Sequence, residues 1–589
     1  MMMSVPNGPI AIDQTGAGNP AGLSATEVQQ LMAGGAPAGT RILYPYDGTV
    51  FPRGLLPPTL MWEGQGADAV YVHLHAQNFD YKAVLKPTVD PASMQPQLTL
   101  PEDVWSKAGF KTGGKSDPFI LELSVRAGGK VVGPMRLQFI IAQATVKGSI
   151  YYNTYASKLP GAANGGNVLR IPAGGKVELF MSMQCNGCHS VSADGSKMLS
   201  QVELINGGNA YSLTSGGSAN PQGAPAGPRV SFGALYPDGS KYLSTSTAVS
   251  MAHAELAQPP GTAAAATLFD TMTGQAIPDT GIPEGAVMPM FSPDGKHLVF
   301  NDFAIESADG LAVMDYDVTT SKASNYKELM RDADATRPGW PFFLPDSKAV
   351  VFTRTVSPDF SGLGAYVGIG GAIGAALPLG NLASLPFPGP ASDLYIADIA
   401  TGKVTLLARA MGYALPDDFA SNKTSLPFPD DVHQNYFPTV APIAAGGYFW
   451  VFFDSIRHYG NLGIQRQLYG AAIDIAADGS YTADPSHPPF YLPGQEFGAG
   501  NHRAFAALDP CRKDGDSCTS GIDCCGGTCF FPETPAELVE PKGTCSPPPK
   551  NSCAKRDERC KRDADCCAPE NGQPPNSCIA GFCAFVSPN

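Results

Sequence analysis

Phe291-Ser292-Pro293-Asp294-Gly295-Lys296-His297-Leu298-Val299-Phe300 reads as the end of one strand, a tight Asp-Gly turn and the start of the next strand. Three more stretches share the pattern: Tyr236-Pro237-Asp238-Gly239-Ser240-Lys241-Tyr242-Leu243, Leu344-Pro345-Asp346-Ser347-Lys348-Ala349-Val350-Val351-Phe352, and Ser192-Ala193-Asp194-Gly195-Ser196-Lys197-Met198-Leu199. A degenerate fifth joins Phe437-Pro438-Thr439-Val440 to Gly446-Gly447-Tyr448-Phe449-Trp450-Val451-Phe452-Phe453. Asp194, Asp238, Asp294 and Asp346 recur 44, 56 and 52 residues apart. That period suits one four-stranded propeller blade per repeat. Outer-strand pairs fill the intervals, as in Asp393-Leu394-Tyr395-Ile396-Ala397-Asp398 followed by Thr401-Gly402-Lys403-Val404-Thr405-Leu406-Leu407.

These turns resemble the F-S-P-D-G-K turns of the TolB-like bacterial propellers. The resemblance covers residues 148–510 and implies six blades. The sixth would combine Ile150-Tyr151-Tyr152 and Val168-Leu169-Arg170-Ile171 with a late strand near His502–Leu508. The Gly-, Ala-, Leu- and Pro-rich stretch 357–392 reads as a loop inserted within a blade.

Before the propeller, residues 1–40 read as a linker with one short helix. Ser24-Ala25-Thr26-Glu27 is a capping box and Gly34 a stop. Residues 41–147 alternate apolar and polar positions with period two, as in Val70/Val72/Leu74 and Phe119/Leu121/Leu123/Val125, and Gly128-Gly129 marks a hairpin turn. Short strands over this length suit a β-sandwich of immunoglobulin or fibronectin type with Trp62 in its core.

After the propeller, residues 511–589 hold two six-cysteine modules: Cys511, Cys518, Cys524, Cys525, Cys529, Cys545, then Cys553, Cys560, Cys566, Cys567, Cys578, Cys583. Spacing alone leaves 15 connectivities for each module. Both have the C…C…CC…C…C order and resemble knottins. That resemblance implies pairing of first with fourth, second with fifth and third with sixth cysteine. The expected fold class is therefore all-β: a six-bladed propeller, an N-terminal β-sandwich and a disulfide-rich tail.

Composition agrees. Gly (66) and Pro (54) are abundant among 589 residues and only 16% are charged, which favours many short strands and turns. A net charge of −14 works against nucleic acid or anionic membrane as partner. No run of 18 apolar residues exists, so no transmembrane segment is expected. Met1-Met2-Met3-Ser4-Val5-Pro6 lacks the basic and apolar regions of a signal peptide, yet the tail needs an oxidising compartment. An extracytoplasmic location (periplasm, outer surface or secreted) is expected, with a targeting segment trimmed or lying upstream.

Cys185-Asn186-Gly187-Cys188-His189 carries the chemistry. C-x-x-C-H is the attachment spacing of haem c, with both thiols on the porphyrin vinyls and the imidazole as proximal iron ligand. Only these two cysteines occur before residue 511, and composition alone gives about 0.005 such matches by chance. Aligning Asp194 with Asp294 matches Cys188 to Met288, which puts the motif in the loop leading into a blade's innermost strand, at one mouth of the channel. The same alignment nominates distal ligands: His433 before another inner strand, His502 before the late strand, and Met288. Two other readings stand, a disulfide or redox C-x-x-C and a partial metal site.

The leading expectation is a monohaem c-type cytochrome on a propeller, transferring one electron to or from a redox partner protein or an extracellular acceptor. The alternative is a secreted or cell-surface binding or structural propeller, assembling with other surface proteins, in which C-x-x-C is a disulfide. Gly109-Phe110-Lys111-Thr112-Gly113-Gly114-Lys115-Ser116 matches a P-loop, but a strand rather than a helix follows it. Neither a nucleophile elbow nor H-E-x-x-H is present, so no hydrolase is expected.

Overall fold

The computed structural model describes residues 8–35, 40–64, 66–91, 93–163, 166–182, 189–201, 208–213, 219–221, 231–245, 266–302, 310–332, 336–356, 391–531, 542–547, 553–560, 563–568, 576–579 and 582–585. Its centre is a ring of sheets. Blade I holds Ser149–Thr154, Asn167–Pro172 and Glu178–Ser182, with His502–Ala507 as its inner strand. Blade II runs His189–Val191, Lys197–Gln201, Gly208–Leu213, Ala219–Pro221. Blade III runs Ser231–Leu235, Lys241–Thr245, Thr267–Asp270, and a bridge from Phe269 to Ala276 marks its outer edge. Blade IV runs Ala286–Phe291, His297–Asp302, Gly310–Asp317, Lys322–Arg331. Blade V runs Thr336–Phe343, Ala349–Val356, Ser392–Asp398, Val404–Leu406. Blade VI runs Asn435–Val440, Tyr448–Ser455, Gln467–Asp474, Phe490–Tyr491.

The first strand of each blade touches the first strand of the next, from II through VI to I and back to II. Six blades therefore close a ring. The last strand supplies the closure: His502–Ala507 runs antiparallel to Ser149–Thr154, with Ser149 opposite Ala507 and Asn153 opposite His502. The expected union of early and late strands is present. Ser392 pairs with Thr355, so the inserted segment lies in a hairpin of blade V. Its residues 357–390 are outside the described ones.

Each repeated turn works alike. The Asp194 carboxylate accepts from the Ser192 hydroxyl at 2.7 Å and the Ser196 N–H at 2.9 Å; Asp238 accepts from Ser240, Asp294 from Lys296 and Asp346 from Lys348. Gly195, Gly239 and Gly295 have φ near +70°, and Ser347, in the glycine's place, has φ +61°. These turns form the lower mouth. Just above it Val191, Leu235, Met290, Phe342, Val440 and Phe505, one from each blade, converge and leave a cavity of about 30 Å³, room for a single water.

The N-terminal domain is two sheets around one core. The larger is ordered Ile10–Gln14, Phe79–Leu85, Ala69–Ala76, Phe119–Ala127, Lys130–Thr145, Val50–Arg53; the smaller is Ile42–Tyr44, Thr59–Trp62, Pro96–Thr99, Thr88–Val89. Leu60, Trp62 and Leu98 of the smaller sheet meet Val70, Val72, Leu74, Leu121 and Leu123 of the larger. Trp62 is buried there, and Gly128 and Gly129, both at positive φ, make the expected hairpin turn.

The short helix expected in residues 1–40 is present: Ala25–Ala33, capped by Ser24 and Glu27 and ended at Gly34, buries Val28 and Leu31 against Tyr71 and Val84. Two features differ from expectation. Ile10–Gln14 pairs in parallel with Phe79–Leu85, so this stretch is an integral part of the domain rather than a linker. A second helix, Glu102–Lys111, lies where only strands and loops were foreseen. It packs Trp105 edge-on against Phe51 and ends within the P-loop-like stretch instead of following it. The domain docks on blade VI, where Phe51 meets Phe490 and the Tyr44 hydroxyl accepts from the Tyr491 N–H.

In the tail, Cys511–Cys525, Cys518–Cys529 and Cys524–Cys545 are bonded, as are Cys553–Cys567, Cys560–Cys578 and Cys566–Cys583. This is the pairing that the knottin resemblance implied, in both modules. Six disulfides mark a chain that matures in an oxidising compartment. Ile522 and Phe582 anchor the tail on Ile443 and Leu508 of the propeller. Among the described residues, no helix is long and apolar enough to cross a membrane.

Candidate functional site at the upper mouth

Cys185 and Cys188 lie outside the described residues, as does the rest of 183–188. His189 opens the inner strand of blade II, where the alignment of turns had put it, and is 2% exposed. Its Nδ1 lies 2.6 Å from Asn153 Oδ1 of blade I. An amide oxygen only accepts, so Nδ1 carries the proton and Nε2 keeps its lone pair. That Nε2 is buried and has no hydrogen-bond partner among the described residues. Burial, assisted by Arg503 and opposed by the Tyr151 carbonyl, pushes the imidazole down to about 3. The ring is neutral at physiological pH, of fixed tautomer, with one buried nitrogen available as a donor.

The mouth around it has a shared backbone device. Met288, Trp340, Phe437 and Arg503 all have positive φ, at 49°, 55°, 53° and 44°. Each sits at a register shift between the first two strands of its blade. Such bulges re-aim side chains and are unfavourable for residues with a Cβ. Here they bring three blades into contact: Arg503 stacks over Trp340 at 4.6 Å, and Trp340 meets Phe437 edge-on at 4.7 Å. Met288 and Trp340 precede the turn aspartates Asp294 and Asp346 by six residues, Arg503 precedes Asp509 just past the closing strand by six, and in sequence Cys188 precedes Asp194 by the same six. This spacing is the signal that sequence reading could have used to find Trp340 and Arg503, which it missed.

The three distal candidates part company. His502 begins the closing strand, 6% exposed, directly opposite Asn153. Its Nδ1 is 3.3 Å from Asp454 Oδ2, and its ring lies 6.0 Å from Phe437. Burial, with Arg466 alongside, holds it below the ordinary histidine value against the pull of Asp454. His433 precedes the inner strand of blade VI, but both ring nitrogens are engaged, Nδ1 by Asp393 Oδ2 at 2.7 Å and Nε2 by Asn422 Oδ1 at 2.8 Å. Met288 lies within the inner strand of blade IV at its bulge rather than in the preceding loop, and is buried. Asn153 thus links His189 and His502, while His433 belongs to a separate cluster.

Asp454, with no exposed surface, ties the mouth together. It accepts from the Arg503 N–H at 2.8 Å and faces Arg466 at 3.7 Å as well as His502.

No family model matches the chain, and no curated protein does. Among solved structures it is similar to TolB from Acinetobacter baumannii, at 13% identity and TM-score 0.33, over 65% of this chain and 81% of that one. It is also similar to Kuenenia stuttgartiensis hydrazine synthase, at 13% identity and TM-score 0.29, over 49% and 70%. A third is an oligogalacturonate lyase in complex with manganese, at 10% identity and TM-score 0.31, over 61% and 78%. At these values the assignment to six-bladed propellers rests on the closed ring itself.

Proposed function

We propose that this protein is an extracytoplasmic propeller that carries one haem c at its upper mouth, on Cys185 and Cys188 with His189 as proximal ligand, and passes single electrons to a redox partner protein or extracellular acceptor. The observation that carries the reading is the state of His189: neutral, buried, Nδ1–H donated to Asn153 and Nε2 without a partner among the described residues. Iron-ligating histidines need this arrangement, because a carbonyl acceptor on the remote nitrogen fixes the tautomer and orients the ring. Haem bound there would supply a one-electron iron couple. The residues present suit an apolar group in part: Phe505 lies 6.1 Å from His189, Phe437 lies 6.0 Å from His502, and Trp340 packs on Phe437.

For the distal position the reading assigns His502, buried at the start of the closing strand, because Asp393 and Asn422 already hold both ring nitrogens of His433. Arg503 places a cation beside the site.

A haem stain on a denaturing gel tests the reading, using protein made in cells competent for cytochrome c maturation. The wild-type band stains; Cys185→Ser/Cys188→Ser does not. An unstained wild-type band whose mass shows a Cys185–Cys188 disulfide supports instead a binding or structural propeller and ends the electron-transfer reading. In a stained protein, His502→Ala shifts the Soret maximum and His433→Ala leaves it in place.

A further inference from the structure

The larger sheet of the N-terminal domain presents a cluster that the proposed redox site does not use. His73 and His75 alternate on Ala69–Ala76, so both rings leave the sheet on the face opposite Val72 and Leu74. The rings stack with centroids 4.3 Å apart. Glu122 stands directly opposite His73 on the next strand, and Asp80 opposite His75 on the other side. Nδ1 of His73 is 3.3 Å from Glu122 Oε2, and Nε2 is 2.8 Å from Asp80 Oδ1. Two carboxylates on one imidazole are met by an imidazolium or, with a neutral ring, by a cation held between Nδ1 and Glu122.

From this geometry we infer a divalent transition-metal site, of the class taken by Zn²⁺, in which His73 Nδ1, His75 and Glu122 ligate and Asp80 positions His73. One donor atom from each of the three ligands lies within 4.8 Å of the others. Two ligands about 2.0–2.1 Å from one tetrahedral ion stand roughly 3.3 Å apart, the separation found between His73 and Glu122. Asp80 on the remote nitrogen completes a carboxylate–histidine–metal relay. All three ligands are half-buried, which leaves an open position for water or a ligand from outside. Lys82, 3.2 Å from Asp80 Oδ2, and Arg136 near His75 are the cations that face the cluster. Two imidazole nitrogens in the donor set favour such a metal over an oxygen-bound one such as Ca²⁺.

The test is isothermal titration of chelator-stripped full-length protein with Zn²⁺, in the Cys185→Ser/Cys188→Ser background so that the C-x-x-C-H motif takes no part. One equivalent binds. His75→Ala and Glu122→Gln each weaken it at least about tenfold, and Asp80→Asn by about 10- to 100-fold. These side chains sit on the outer face, and an unchanged far-ultraviolet spectrum shows that each variant is folded. Zn²⁺ uptake that His75→Ala leaves untouched, or no uptake by the parent, overturns the inference.

Discussion

The two mouths of the propeller channel are built on opposite principles. At the lower mouth one rule is used repeatedly: an aspartate caps a tight turn, and one apolar side chain per blade closes the channel above it. At the upper mouth each blade differs. It offers His189, and on distorted backbone Met288, Trp340, Phe437 and Arg503, over a buried Asp454 with its cationic neighbours. Repetition at one end sets the ring; departure from it at the other collects the groups capable of chemistry.

If that contrast is right, substitutions at the two ends should differ in size and kind. The largest effect is expected for Asp454→Ala. It leaves Arg466, 5% exposed, without its counter-charge and frees the strand that closes the ring. Losing one partner of a buried ion pair costs about 3–5 kcal/mol, read as a lowered urea midpoint for the propeller. Gly295→Ala at the lower mouth comes next. It requires φ +70° of a residue with a Cβ and sets that Cβ against the Tyr236 ring of blade III, a cost of about 1–2 kcal/mol or more. Met290→Leu in the apolar collar stays under about 1.5 kcal/mol, as swaps of similar volume do. A collar substitution more damaging than Asp454→Ala would reverse the assignment of roles to the two ends.

How legible each part was follows from the range of the interactions that make it. A turn such as Ser292-Pro293-Asp294-Gly295 is closed by bonds between residues two to five apart, so the blades could be read directly. In the tail, the pairing of first with fourth, second with fifth and third with sixth cysteine was what the knottin resemblance implied. The helix Glu102–Lys111 was hidden because it starts after Pro101 without a side-chain cap and carries Gly109 inside it. Strand Ile10–Gln14 is short and exists through its partner, Phe79–Leu85. The site was half legible: His189 announced itself, but Asn153, which sets its tautomer, is 36 residues away in another blade. Trp340 and Arg503 meet only because bulges in blades I and V turn them toward each other. His73 and Glu122 are 49 residues apart and are joined only by sheet register.

The smallest effect concerns His433, which separates the peripheral part of the upper mouth from its buried part. The bond to Asp393 raises the imidazole above its ordinary value, partial burial opposing, while burial pushes the Asp393 carboxyl up in spite of that bond. The contact at 2.7 Å is attractive, but the carboxylate loses more by burial than His433 returns to it. For His433 itself the folded value exceeds the unfolded one, near 6.5. Its charged form therefore stabilises the fold fully below that pH, and the contribution disappears as pH rises through the folded value. With the ring 24% exposed, solvent screening limits the gain to about 1 kcal/mol or less. His433→Gln retains a polar group toward Asn422 and removes the charge. The stability difference between wild type and variant should be greatest on the acid side of the ordinary histidine value and shrink steadily above it, while the Soret band that the proposed haem would give is unchanged throughout. A difference that grows with pH would mean that neutral His433 is the stabilising form. A spectrum that follows the same titration would join His433 to the buried cluster and remove the distinction drawn between it and His502.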